Sequence, residues 1–244
     1  MAPWRAPVTG PSACPAAWRV QADGPMLHVS ARTSEARSAV DTWQLIATER
    51  TRLADSLAGL DESAWRSPSL CAGWSNQDAL AHIVATAEIT QGGFFGGLLR
   101  NGFSFQKMVA GDIHRVGAAG VPRMLERLRA SAGSRNHPPG PVASMLLEIV
   151  VHGEDIAFPL GNAVDHSPEA LVGAAEFGKS AQPLVGCRKR IAGLRLRATD
   201  AEWSTGSGPE VSGPLVPLLL AMCGRKAALD SLTGEGVAAL RERP

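Results

Sequence analysis

One helical run near the middle of the chain constrains the fold more than any other stretch. In Met145-Leu146-Leu147-Glu148-Ile149-Val150-Val151-His152-Gly153-Glu154-Asp155-Ile156, polar groups interrupt an otherwise apolar sequence at helical spacing. At about 100° per residue Glu148, His152 and Asp155 share one face, and Glu148 and His152 lie about 6 Å apart along the axis. Leu146, Leu147, Ile149, Val150 and Val151 fill most of the remaining circumference, so the helix is expected to be buried on most sides. Carboxylates and an imidazole are costly there unless a metal, an opposite charge or a hydrogen-bond network compensates. The face therefore marks a site.

Length and composition narrow what that site can serve. A chain of 244 residues accommodates one large or two modest domains, and 45% hydrophobic with 19% charged residues describes a globular protein. The 24 basic residues against 23 acidic ones give a formal charge of +1, with no segment that interleaves Lys and Arg with aromatics. Nucleic-acid binding has no support in that pattern. The longest apolar run, around Leu215 to Cys223, is shorter than the roughly 20 residues that span a bilayer, so no membrane partner is expected. Cys14, Cys71, Cys187 and Cys223 are scattered and form no CxxC pair, which argues against a disulfide framework and for a reducing cytoplasm.

Four amphipathic segments follow one another. The first thirty or so residues are rich in Pro, Ala and Gly without the apolar stretch of a secretory signal, and residues 1–33 are read as a disordered extension in which Met26 is an alternative start. From about Ser34 a helical stripe runs through Trp43, Ile46, Leu53, Leu57 and Leu60. Ser75 followed by Asp78 forms a capping signature for a second helix through Leu80, His82, Ile83, Val84 and Ala87 toward Gly92 and Gly93. Pro122 opens a third, with Val121, Met124, Leu125 and Leu128 at apolar spacing. The Glu148 helix is the fourth. Such a set predicts a helical bundle over residues 34–160, whose interior commonly houses metal sites built from facing helices. A connecting helix opened by Ser167-Pro168-Glu169 is expected within 161–185. Beyond it Leu194-Arg195-Leu196-Arg197-Ala198 alternates as a half-buried strand, Trp203-Ser204-Thr205 suggests a second, and Leu215 to Met222 a helix, so residues 186–244 read as a small α+β domain.

A metal on Glu148 and His152 needs a third ligand. His82 is the best candidate because it lies inside helix two among apolar neighbours, where a hydrogen-bonded structural histidine is the other reading. His28, His114, His137 and His166 lie in the N-terminal stretch or near loops and are expected at the surface.

The segment Ser69-Leu70-Cys71-Ala72-Gly73-Trp74-Ser75, leading through Asp78 to Leu80-Ala81-His82-Ile83, combines with Glu148-Ile149-Val150-Val151-His152-Gly153-Glu154-Asp155-Ile156. Together they closely resemble the mycothiol-dependent maleylpyruvate isomerase family, part of the wider DinB-like group of metal-binding four-helix bundles. The similarity continues through Gly208-Pro209-Glu210-Val211, Gly213-Pro214 and Cys223-Gly224-Arg225 to Asp230-Leu232-Thr233-Gly234, roughly residues 40 to 240. The resemblance implies a mainly α fold, a DinB-like four-helix bundle followed by a small α+β C-terminal domain.

It further implies that His82, Glu148 and His152 carry a divalent metal, zinc first among the choices. Two histidines and one carboxylate leave the fourth position open, as in a reactive zinc. Asp155 would orient a ligand imidazole or a bound water, and Arg225, at the family's C-terminal Gly-Arg position, would face an anionic substrate; an acidic helix end and a helix-capping arginine are the plainer readings of these two. Mycothiol would serve as thiol cosubstrate, because a thiol on zinc ionises near neutral pH and the thiolate is the nucleophile. In the isomerase reaction the thiol adds to the cis double bond of maleylpyruvate, the bond rotates, and elimination gives the trans isomer. The expected protein is thus a zinc-dependent, mycothiol-using enzyme that performs thiol addition, transfer or cis-trans isomerisation on a small electrophile. The alternative is a non-catalytic metal- or ligand-binding protein on the same scaffold. Fold alone does not choose between them, and the Gly92 to Gly97 stretch and residues 100–120 carry no substrate-defining motif.

Overall fold

The computed structural model describes residues 41–182 and 185–244. The expected N-terminal extension, the helix start near Ser34, Met26, His28 and Cys14 lie outside the described residues.

Helix α1 (Thr42–Leu57) begins where the Asp41 carboxylate accepts the Trp43 N–H, and buries Ile46, Leu53 and Leu57. A short α2 (Glu62–Arg66) leads to α3 (Asn76–Glu88). The predicted capping box is present at its start, with the Ser75 hydroxyl accepting from Asp78 N–H at 3.2 Å and the Asp78 carboxylate from Ser75 N–H at 3.0 Å. Then come α4 (Gln91–Arg100), α5 (Phe105–Gly117), α6 (Val121–Ala130) with Pro122 in its first turn, and α7 (Ala143–Ala157). Helix α7 ends in a 3-10 turn over Phe158–Leu160, and Gly161 at φ +63° reverses the chain. Helix α8 (Pro168–Gly178) follows, capped by Ser167.

Helices α1, α3, α6 and α7 form the bundle, α7 packing on α1 and α3 while α6 closes against the same two. These are the four elements that the apolar stripes predict. Helix α5 lies on the outside of α3, and α8 on α7. Helices α4 and α5 occupy the stretch from Gly92 to residue 120, which carries little helical signal. Each interior glycine costs a helix about 1 kcal/mol relative to alanine, so four of them in α4 hide it from periodicity. Gly97 has a packing reason, since a Cβ there would lie 2.9 Å from Met108 Sδ of α5.

The C-terminal part adds α9 (Cys187–Arg190), strands β1 (Arg195–Ala198), β2 (Ser204–Gly206) and β3 (Glu210–Gly213), then α10 (Leu215–Met222), a 3-10 turn over Lys226–Ser231 and α11 (Gly236–Glu242). The sheet order is β2-β1-β3, β1 pairing antiparallel with β2 (Leu196 opposite Thr205) and parallel with β3 (Leu196 opposite Val211). The predicted alternation holds, Leu196 and Ala198 facing in and Arg195 and Arg197 out. Gly206, at φ +75°, sits where a Cβ would come within 2.1 Å of the Leu194 carbonyl oxygen, so only glycine permits the β1–β2 register. Strand β3 is short and parallel to its neighbour, and nothing in its alternation announces it. Helix α10, buried along nearly its whole length, packs on α7 and α8 and joins this part to the bundle core. Among the described residues no helix is long and apolar enough to cross a membrane.

Candidate functional site

Helix α7 presents Glu148, His152 and Asp155 on one face, and α3 brings His82 against it. His82 Nε2 lies 3.8 Å from Glu148 Oε1, beyond a hydrogen bond, and the His82 and His152 rings meet edge to face with centroids 4.8 Å apart. Trp74, from the loop that precedes α3, covers both imidazoles, its ring centroid 5.0 Å from His82 and 6.0 Å from His152. The loop is fixed to the site by its backbone, since the Leu70 N–H donates to the Asp155 carbonyl oxygen at 2.9 Å.

Behind His152 stands a chain of charged hydrogen bonds. Asp155 Oδ2 accepts from His152 Nδ1–H at 2.9 Å, and Arg225 donates Nε–H to Oδ1 at 2.8 Å and Nη2–H to Oδ2 at 2.6 Å. Asp155 is fully buried. Burial pushes its carboxyl up, but the bonds from Arg225 and His152 outweigh this and hold it below the usual range. Burial also opposes the charge of Arg225, and Asp155 more than restores it. A carboxylate can only accept, so the shared proton sits on Nδ1 and Nε2 is the imidazole nitrogen left for other duty.

The two groups facing this pair are pushed toward neutrality. Burial, with His152 adding to it, lowers His82 to about 3, so it is a neutral imidazole with a lone pair. Burial raises Glu148, although 22% of its side chain is exposed, and His152, a hydrogen bond from Thr86 and the charge of Arg50 partly offset that rise. Two imidazoles and a carboxylate are nitrogen and oxygen donors of the kind zinc takes, but their ligand atoms do not all lie within 4.8 Å of one another, so a shared ion would need the side chains to draw closer.

The structure therefore brings all five expected residues into one neighbourhood, with different parts. His82, Glu148 and His152 stand in front; Asp155 and Arg225 form the support. The bidentate fork of Arg225, expected to face a substrate carboxylate, is filled by Asp155, its Nη1–H donates to the Cys223 carbonyl at 2.8 Å, and only 14% of the side chain is exposed. Seventy residues separate Arg225 from Asp155, and no local pattern signals such a pairing.

Cys71, half-buried, was not singled out by its sequence context. Its Sγ, an imidazole nitrogen of His152 and a carboxylate oxygen of Asp155 lie within 4.8 Å of one another, a set that could itself hold a metal. Both oxygens of Asp155 are already taken by Arg225 and His152, and a metal there would sit against a guanidinium. Burial, followed by the Asp155 charge, keeps the Cys71 thiol above its ordinary value, which disfavours the thiolate a metal needs.

His166 also departs from expectation. It is buried rather than at the surface, with Nδ1 on Glu49 Oε2 at 2.5 Å and Nε2 on Glu154 Oε1 at 2.9 Å. Its two carboxylate partners make it an imidazolium, raised to about 9 against the opposing effect of burial. This clamp ties α1, α7 and the start of α8 together. His114 is exposed and His137 packs against Trp43.

Residues 46–137 match the family model described as the mycothiol maleylpyruvate isomerase N-terminal domain. The match spans α1 through α6, including the Trp74 loop and His82 but not α7. Two solved structures resemble the fold across 83% of this chain and 93% of theirs, both at 15% identity: a mycothiol-dependent maleylpyruvate isomerase, TM-score 0.54, and a histidine-to-alanine mutant of such an enzyme, TM-score 0.53. The isomerase-like architecture therefore extends past the matched domain and through the C-terminal part. No curated protein sequence matches the chain.

Proposed function

We propose that the chain is a metal-dependent, mycothiol-using enzyme that acts on a small electrophile by thiol addition, transfer or cis-trans isomerisation. His82, Glu148 and His152 would hold the metal, with zinc the ion that their donor set suits. The observation that carries this reading is the meeting of His82 with Glu148 at 3.8 Å and with the His152 ring edge to face, where the Nδ1–H of His152 is fixed on Asp155. Bound there, zinc would supply the Lewis acidity that favours a thiolate near neutral pH.

The chain's own residues do the rest. Asp155 holds the His152 tautomer and ring orientation, leaving Nε2 free to face the site. Arg225 keeps Asp155 ionised and in place, so the C-terminal part contributes to the site as a positioning element. Trp74 shields one side of both imidazoles. The partners are a low-molecular-weight thiol and a small-molecule substrate, in a reducing, cytoplasmic setting consistent with free cysteines.

One observation favours the non-catalytic reading. Cys71 lies close enough to His152 that a thiolate from it could close the fourth metal position and leave a sequestering site. Metal analysis and a thiol-dependence screen separate the two. The enzyme reading expects one zinc per chain, lost in His82→Ala and Glu148→Ala, with turnover of cis-enoyl acids only when mycothiol is added. Full metal content in both variants would overturn the ligand set. Zinc bound with Cys71 alkylation-protected and no thiol-dependent turnover would establish the binding-only alternative.

A further inference from the structure

We propose that Cys187 and Cys223 form a reversible redox pair, a buried dithiol that a small hydroperoxide converts into an intramolecular disulfide. Cys187 opens α9 and Cys223 follows α10; both are buried, and their sulfurs lie 3.5 Å apart although 36 residues separate them in sequence. A disulfide bond measures about 2.05 Å, so closure needs the sulfurs to approach by about 1.5 Å. The separation in sequence concealed the pair, which the four scattered cysteines did not suggest.

The surroundings suit the chemistry. The guanidinium of Arg190 donates to the Met222 carbonyl at 2.7 Å and lies against Gly224, whose missing side chain leaves room for it at 3.1 Å. Arg225 approaches from the other side through its bond to the Cys223 carbonyl. The hydrogen bond from Cys223, with help from both arginines, lowers Cys187, while the same bond and burial keep the Cys223 thiol high. Of the two, Cys187 is therefore the thiol more readily ionised, and the thiolate is the form that peroxides oxidise.

The steps balance. The Cys187 thiolate attacks the peroxide, an S–O bond forms as the O–O bond breaks, and the leaving hydroxide or alkoxide takes the proton of Cys223. The Cys223 thiolate then attacks the Cys187 sulfur, the S–S bond forms as the S–O bond breaks, and the departing hydroxide takes from solvent the proton that Cys187 released on ionising. The dithiol loses two electrons and the hydroperoxide gains them. Hydrogen peroxide is close to water in size and reaches a buried sulfur through local opening, whereas a bulky disulfide does not. A reduced resting state with transient oxidation is the usual pattern for such pairs in a reducing compartment. Closure draws on Cys223, whose carbonyl holds Arg225, and Arg225 holds Asp155. The pair is therefore linked to the support of His152.

The test uses the full chain, fully reduced and then treated with a few equivalents of hydrogen peroxide under native conditions. Alkylation and non-reducing peptide mapping should recover a peptide joining Cys187 to Cys223, with an intact mass lower by two hydrogen atoms, both reversed by dithiothreitol. Cys71→Ser, which removes the half-buried competing thiol, should leave the cross-link yield unchanged. Cys223→Ser should trap Cys187 as a sulfenic acid that dimedone captures; should that variant fail to fold, the wild-type map decides alone. Amide exchange across Gly224 to Lys226 should change about tenfold or more on oxidation. The proposal is overturned if Cys187 and Cys223 are recovered singly alkylated while Cys71 is oxidised, or if either is joined to Cys71 or Cys14. Unchanged exchange at Gly224 to Lys226 would overturn the link to the candidate site.

Discussion

Helix α7 carries two histidine clusters on different faces, and they are built to opposite ends. On one face Glu154, with Glu49 of α1, encloses His166; the imidazolium is fully paired, fully buried and locked, and the Ser167 N–H adds a further bond to Glu49 at 3.0 Å. On the other, His152 has a partner on one nitrogen only, and it faces a neutral His82 and a partly exposed Glu148. A structural clamp keeps its proton and leaves no lone pair. The proposed metal cluster would need the reverse, with Asp155 and Arg225 fixing which nitrogen is available. The same residue type thus holds the fold in one place and, on the proposed reading, would hold a ligand in the other.

If that contrast is right, the two faces fail differently. Replacing a proposed ligand should produce the largest effect: His152→Ala or Glu148→Ala should weaken zinc binding by about 1000-fold or more, since each ligand accounts for several kcal/mol of a tight site. Chelator competition reads the affinity and circular dichroism the fold, which should persist because the apolar stripes remain. Next in size, His166→Ala leaves two carboxylates buried against each other and should cost about 3 to 5 kcal/mol in urea unfolding, with zinc affinity unchanged in the fraction that folds. An equal loss of zinc in His166→Ala would erase the distinction between the faces.

The clamp should also declare itself through pH. His166 is held at about 9, above its ordinary value of 6.5, so the folded state binds the proton more tightly than the unfolded chain. That contribution is fully present below pH 6.5 and is lost as pH rises through 9. A shift of this size corresponds to about 3 kcal/mol at most. Urea unfolding at pH 6.5 and pH 9.5 should therefore show wild-type stability falling in alkali, and His166→Gln should flatten that fall. A wild-type profile that rises over this interval would mean His166 is not the charged centre of the clamp.

What the sequence disclosed depends on distance along the chain. The Ser75 and Asp78 box, the α7 face and the Leu196 strand are local patterns, and each is found where its periodicity places it. The glycines of α4 suppress the local signal, and packing on α5 overrides them. The proximity of Glu148 and His152 was legible because they are four apart on one helix, and His82 was marked by its place inside a helix among apolar neighbours. The pairing of Asp155 with Arg225 was not, because seventy residues separate them, and neither was the separate clamp, in which Glu49 meets His166 across 117. Cys71 and Trp74 act from a loop whose course no periodicity describes.

The smallest expected effect tests how the support works. Asp155→Asn keeps the shape of the side chain but gives up the charge that fixes the His152 tautomer and holds both arms of Arg225. Loss of such an outer partner typically weakens metal binding by about 10- to 100-fold. Arg225→Ala should do the same by releasing Asp155, with some added instability from a buried carboxylate left without its guanidinium. If Arg225 acts only through Asp155, the double variant should bind zinc no worse than the weaker single one, because the second change removes an interaction already gone. If Arg225 instead touches the substrate, zinc affinity will still follow that pattern, but the losses in kcat/KM will multiply, since an independent contact to the reacting anion is removed on top of the metal effect. The zinc cycle and the kinetic cycle on the same four proteins therefore distinguish a positioning arginine from a substrate-binding one.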